Sequence, residues 1–188
     1  MLASLKALLT SAVDYAGLFP PAKLDLRQAM ENYVQDSASP YAWMLSRFVI
    51  PISRLSEFAE LLSAFSLKHW SLSVILSGLE SEIEQVQSLH IGNKVAIAAL
   101  EFSALSPPEI ERVSSDLPTE VEAFFEIPFN SDLKPYLKVL RHTGAAAKIR
   151  TGGATINAFP SVTQLSQCIF SFAEAQVPFK ATAGLHHP

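Results

Sequence analysis

The chain has 188 residues, 49% of them hydrophobic and 17% charged, with a formal net charge of −4. That length encloses one sizeable core, and that composition excludes intrinsic disorder. Scattered basic residues exclude an electrostatic nucleic-acid interface, and no run reaches the roughly 18 apolar residues of a membrane span. The single cysteine, Cys168, lies in an apolar helical pattern and reads as a small core residue in a reducing compartment. The N-terminus carries one early lysine and a broken apolar run, so no secretory signal is expected and the cytoplasm is the default location.

Residues 1–42 read as a helical segment ahead of the repeats. Leu2–Tyr15 is read as an amphipathic helix, and Asp25–Gln35 as a second one capped by Asp25. Between them, Asp14-Tyr15-Ala16-Gly17-Leu18-Phe19-Pro20-Pro21-Ala22 is a glycine- and proline-punctuated connection. Its aromatic content predicts that it packs onto the body of the fold, over one barrel end.

From Trp43 the hydrophobic period alternates between that of a strand and that of a helix. Met44–Pro51 is the first predicted strand, followed by a helix over Ser53–Phe65. Trp70–Ser77 is the second, with a helix over Ser81–Leu89. Lys94–Phe102 is the third, and its helix opens at Pro107-Pro108, where proline is tolerated. Glu120–Pro128 is the fourth, followed by a helix from Ser131 to His142 that Gly144 ends. Ala145–Thr151 is the fifth, Ser161–Gln176 a long helix, and Pro178–Ala183 the sixth.

Regular βα alternation with almost continuously apolar strands predicts parallel strands joined by right-handed helical crossovers. The expected class is α/β, an incomplete TIM-type (β/α) barrel of about six parallel strands in one domain over residues 1–188. A complete barrel typically needs about 250 residues, so a further stretch of roughly 50 to 60 residues is expected beyond Pro188. The alternative is an open doubly wound parallel sheet, for which no G-x-G-x-x-G follows the first strand.

Ionisable residues are nearly absent from strand middles and gather at the carboxyl ends, where parallel α/β folds place their sites. Glu101 and Glu126 end the third and fourth predicted strands. Lys148 and Arg150 share one face of the fifth, and Lys180, Thr182 and Gly184 share one face of the sixth. With the apolar faces turned to helices, the two lysines are expected to look into one cavity. Burial and mutual repulsion there would favour a neutral, reactive amine, whereas pairing with Glu101 and Glu126 would keep both lysines charged. The turn Arg150-Thr151-Gly152-Gly153 offers backbone N–H groups and a guanidinium to a phosphate or carboxylate. His186 and His187 are adjacent, so only one of them can face such a site, as a general acid or base. Alternatively Glu101, Glu126 and one of these histidines would hold a divalent metal ion.

Lys180-Ala181-Thr182-Ala183-Gly184-Leu185 resembles the K-T-S-T-G-F strand of deoxyribose-phosphate aldolases. In that family a lysine on barrel strand six forms a Schiff base with the substrate. The resemblance implies a nucleophilic role for Lys180 and no metal cofactor, with Thr182 standing where the motif has serine. The second catalytic lysine of those enzymes lies on a later strand, so Lys148 is not its counterpart. More broadly, DYAGLFPPA, AWMLSRFVIP, AKIRTGG and FKATAGLHHP resemble a bacterial protein family of unassigned function, whose longer members imply a continuation but no activity.

These readings converge on a barrel enzyme acting on a small anionic or carbonyl metabolite by Schiff-base lyase or aldolase chemistry. Lys180 would be the nucleophile, with Lys148, Glu101, Glu126 and His186 assisting it. Arg150, Thr151, Gly152, Gly153 and Thr182 would bind substrate. Metal-assisted lyase or hydrolase chemistry, and a non-catalytic ligand-binding domain, are the alternatives. No nucleic-acid or membrane partner is expected, and the open sheet edge is expected to be covered by a homo-oligomeric partner or by the further segment.

Overall fold

A computed structural model describes residues 2–77, 80–88, 94–153 and 155–184. Its seven strands form one sheet in chain order: β1 (Val13–Tyr15), β2 (Leu45–Pro51), β3 (Trp70–Leu76), β4 (Val95–Phe102), β5 (Glu122–Glu126), β6 (Ala146–Arg150) and β7 (Phe179–Thr182). Pairing is parallel from β1 through β3 and from β4 through β7. The helices are α1 (Ala3–Leu9), α2 (Leu26–Ser37), α3 (Leu55–Leu61), α4 (Glu80–Ser88), α5 (Pro107–Ser115), α6 (Leu133–Thr143) and α7 (Val162–Glu174). A doubly wound sheet reverses its strand order at a switch point, and no reversal occurs here among the described residues. The topology is that of an incomplete TIM-type barrel.

Six of the strands, β2 to β7, follow two helices as the hydrophobic pattern implies. The seventh lies between those helices, where the sequence reads as helix as far as Tyr15. The first helix instead ends at Leu9. Thr10 Oγ1 turns back to bond the Lys6 carbonyl, and Ser11 adopts a left-handed φ of 53°. The Ser11 N–H then donates to the Trp43 carbonyl, and Val13-Asp14-Tyr15 pairs with β2. Three residues are too few for a period to show. Counting this strand moves Lys148 to the sixth strand and Lys180 to the seventh, so agreement in strand number with the aldolase motif is lost.

Elsewhere the local signals act as expected. Asp25 accepts from the Gln28 N–H at 2.9 Å to open α2. Capping boxes open α5 at Ser106 and α7 at Ser161. Hydrogen bonds from the Ser106 hydroxyl and N–H, the hydroxyl first, hold the Glu109 carboxyl below its usual range. Gly144 closes α6 with a φ of 73°.

By packing, the chain divides into two compact units: residues 1–75 with 85–98, and residues 76–84 with 99–188. The first is built on aromatic rings. Tyr15 stacks on Phe48 and meets Tyr33 edge-on, so the Asp14–Ala22 connection is anchored at its start. Trp70 lies 5.3 Å from Tyr33 and 5.2 Å from Phe58, centroid to centroid. In the second unit Phe102 and Phe125 stack at 4.7 Å, and Phe179 meets Phe172 of α7 at 5.2 Å. Phe179 therefore looks toward the helices, and alternation turns its neighbour Lys180 the other way.

Candidate functional site

The polar residues at the strand ends of the second unit converge. Register places Glu126 beside Lys148, and Lys148 beside Lys180. Lys180 Nζ donates to Glu101 Oε1 at 2.8 Å. The other oxygen of the same carboxylate, Oε2, lies 3.7 Å from Lys148 Nζ, which also stands 3.5 Å from Glu126 Oε2. Two ammonium groups and two carboxylates thus form a chain, Lys180–Glu101–Lys148–Glu126, of no net charge. Pairing, rather than two repelling amines, is the arrangement present.

Burial is graded along this chain. The side chains of Glu101 and Lys148 are 2% and 6% exposed, those of Lys180 and Glu126 16% and 23%. Lys180 is accordingly the more accessible of the two lysines. A buried carboxylate is stable only when its oxygens are bonded, and Glu101 spends one on each lysine.

Phe124 is a member of the site that strand-end reasoning misses. Its ring lies beneath Lys180 Nζ at 5.0 Å, close enough for a cation–π attraction. Ala99, Phe124 and Ala146 form a buried apolar patch. The signal was present in Glu122-Ala123-Phe124-Phe125-Glu126, where alternation sets Phe124 on the face of the two glutamates. An aromatic residue in a strand reads as core, which hid it.

The glycine turn is occupied with holding the chain together. Thr151 N–H donates to the Thr182 carbonyl at 2.8 Å, and its hydroxyl donates to the Ala183 carbonyl. A Cβ on Gly152 would stand 2.6 Å from Gly184 Cα, and one on Gly153 2.6 Å from Ala158 Cβ. Both glycines therefore permit close approach of neighbouring chain. Arg150 is exposed at the end of β6, and its Nε donates to the Gly152 carbonyl at 3.1 Å. Thr182, its register partner on β7, is half-buried. His186 and His187 lie outside the described residues.

Among the described residues no group of three or more histidine, cysteine, aspartate or glutamate side chains is placed to hold a metal ion. Nor, among them, is any helix long and apolar enough to cross a membrane. Fold and site together define an α/β barrel-like protein of a kind suited to enzymatic chemistry in general. No protein-family model, curated protein or solved structure matches the chain.

Proposed function

We propose that the lysine–glutamate chain of the second unit is a Schiff-base site and that Lys180 is its nucleophile, as in a class I aldolase or a related lyase. The observation that carries this reading is the 2.8 Å bond from partly accessible Lys180 to a carboxylate that is 2% exposed. An amine attacks a carbonyl only after losing its extra proton. Glu101 Oε1 is in place to accept that proton. As the C–N bond forms, the carbonyl electron pair moves to oxygen, which takes the proton that Glu101 holds. The nitrogen, now positively charged, gives its second proton to Glu101, whose carboxylate Lys148 keeps in place. Glu101 passes that proton to the hydroxyl, which leaves as water while the nitrogen lone pair closes the iminium. In the cleavage direction, a base removes the proton of the β-hydroxyl. The carbon–carbon bond then breaks with its electrons drawn into the iminium.

Phe124 offers an apolar floor for the carbon skeleton. Arg150, at the exposed end of β6, would take an anionic group on the substrate. Borohydride reduces an iminium to a stable secondary amine. Incubation with small aldehydes and ketones, with and without a carboxylate or phosphate, followed by borohydride and peptide mapping, is expected to place the adduct on Lys180. Glu101→Gln should slow its formation by about a hundredfold or more, in the range of lost general acid–base catalysis. An unmodified Lys180 across the panel would leave the cluster as a structural ion-pair network inside a ligand-binding scaffold.

A further inference from the structure

Lys180 Nζ meets two neighbours of different kinds. Glu101 Oε1 accepts from it at 2.8 Å, and the centroid of the Phe124 ring stands 5.0 Å away. Both belong to one level of the sheet, where register sets Glu101 of β4 directly beside Phe124 of β5. On its other side Phe124 has Ala146 of β6 as its partner, and β7 lies beyond that strand. The side chain between them is a single methyl group, so ring and ammonium meet over it. Ala99 and Ala146 are buried with the ring, which is itself 7% exposed.

The two neighbours behave differently in the Schiff-base reaction. Glu101 is a full counter-charge only while ionised, and as acid and base it must hold a proton in turn. Positive charge builds on the nitrogen in two steps, C–N bond formation and loss of water. In both, Glu101 is still giving up its proton and is only part of the way to a carboxylate. An aromatic face holds no proton. Its negative quadrupole attracts a cation to the same degree at every stage.

We infer, in an extension that rests on the Schiff-base reading, that Phe124 stabilises the positive charge on the Lys180 nitrogen and keeps the bound imine in its protonated, electrophilic form. The charged side chains on the same face are Glu101 of β4, Glu122 and Glu126 of β5, and Lys148 and Arg150 of β6. A change confined to the electrons of the ring leaves all five in place.

Such a change is available. Site-specific replacement of Phe124 by mono-, di- and pentafluorinated phenylalanine weakens the quadrupole stepwise and nearly preserves shape. Each protein, together with Phe124→Leu, is saturated with a carbonyl compound that modifies Lys180. Cyanoborohydride, which reduces the protonated iminium in preference to the neutral imine, is then added across a pH series. Trapping on Lys180 slows at high pH, where the imine nitrogen loses its proton. A ring that favours the cation holds this fall at higher pH, so weakening the ring moves it lower.

Phe124→Leu should lower the midpoint of the fall by roughly 0.4 to 1.5 pH units, the span from an exposed to a desolvated cation–π contact. The fluorinated rings should follow in order of fluorine content, with circular dichroism unchanged. Coincident pH profiles across the fluorinated series, with or without a shift in Phe124→Leu, mean a packing role and overturn the inference. An adduct on Lys180 in that case still supports the Schiff-base reading. No adduct on Lys180 in any of the proteins overturns both.

Discussion

Glu101 is the residue on which the second unit's polar chemistry turns, because one buried carboxylate serves two lysines. Removing one member of a buried ion pair typically costs about 3–5 kcal/mol, since the remaining charge is left without compensation. Glu101→Gln is therefore expected to lower the unfolding free energy by about 3 kcal/mol in urea titrations. Lys180→Met should cost less than half as much, since its side chain is 16% exposed and its aliphatic stem can still cover Phe124. Equal, near-zero effects would mean that the cluster contributes nothing to the fold. Cys168 makes the opposite case, an ionisable group with no partner role. It is 1% exposed, and burial pushes its thiol above the usual range. Only the thiolate is nucleophilic, so alkylation near pH 8 should be slow in the native state and rapid in denaturant. Fast native labelling would contradict its place in the core. The four charged members of the cluster could be read from the sequence because charges in apolar strands stand out and alternation assigns their face. Phe124 could not, since nothing in its type distinguishes a ring under an ammonium from one in the core.

Glycines mark the element ends, and two of them with similar backbone angles differ in surroundings. Gly144 closes α6 at a φ of 73°, and a Cβ added there would meet nothing within 4 Å. Gly184 follows β7 at a φ of 71°, and a Cβ there would stand 2.5 Å from the Thr151 carbonyl oxygen. Gly144→Ala should cost about 1–2 kcal/mol, the left-handed penalty alone. Gly184→Ala should cost more, because backbone must also shift where β6 and β7 end, and thermal unfolding of the two variants compares them directly. Helix boundaries set by caps were readable to within about two residues, at Asp25, Ser106, Gly144 and Ser161. β1 was not readable. Its extended form comes from pairing with β2, a contact distant in sequence, and the break before it falls on Ser11 with no glycine to announce it.

At the scale of the molecule, strand order in sequence and strand order in the sheet coincide; βα alternation made the parallel strands legible but left the doubly wound order open as the alternative. The division into two packed units was not legible, because the hydrophobic period runs through both without a linker. The candidate site takes up a smaller part of the molecule: β4 to β7 bring Glu101, Glu126, Lys148 and Lys180 together from four separate strands. Whether that convergence is catalytic is decided most directly by borohydride trapping with a panel of small carbonyl compounds and mapping of the modified peptide. An adduct on Lys180, absent in Lys180→Met and slowed in Glu101→Gln, is the expected result. A panel that leaves Lys180 unmodified, or labels exposed lysines such as Lys134 equally well, would contradict it.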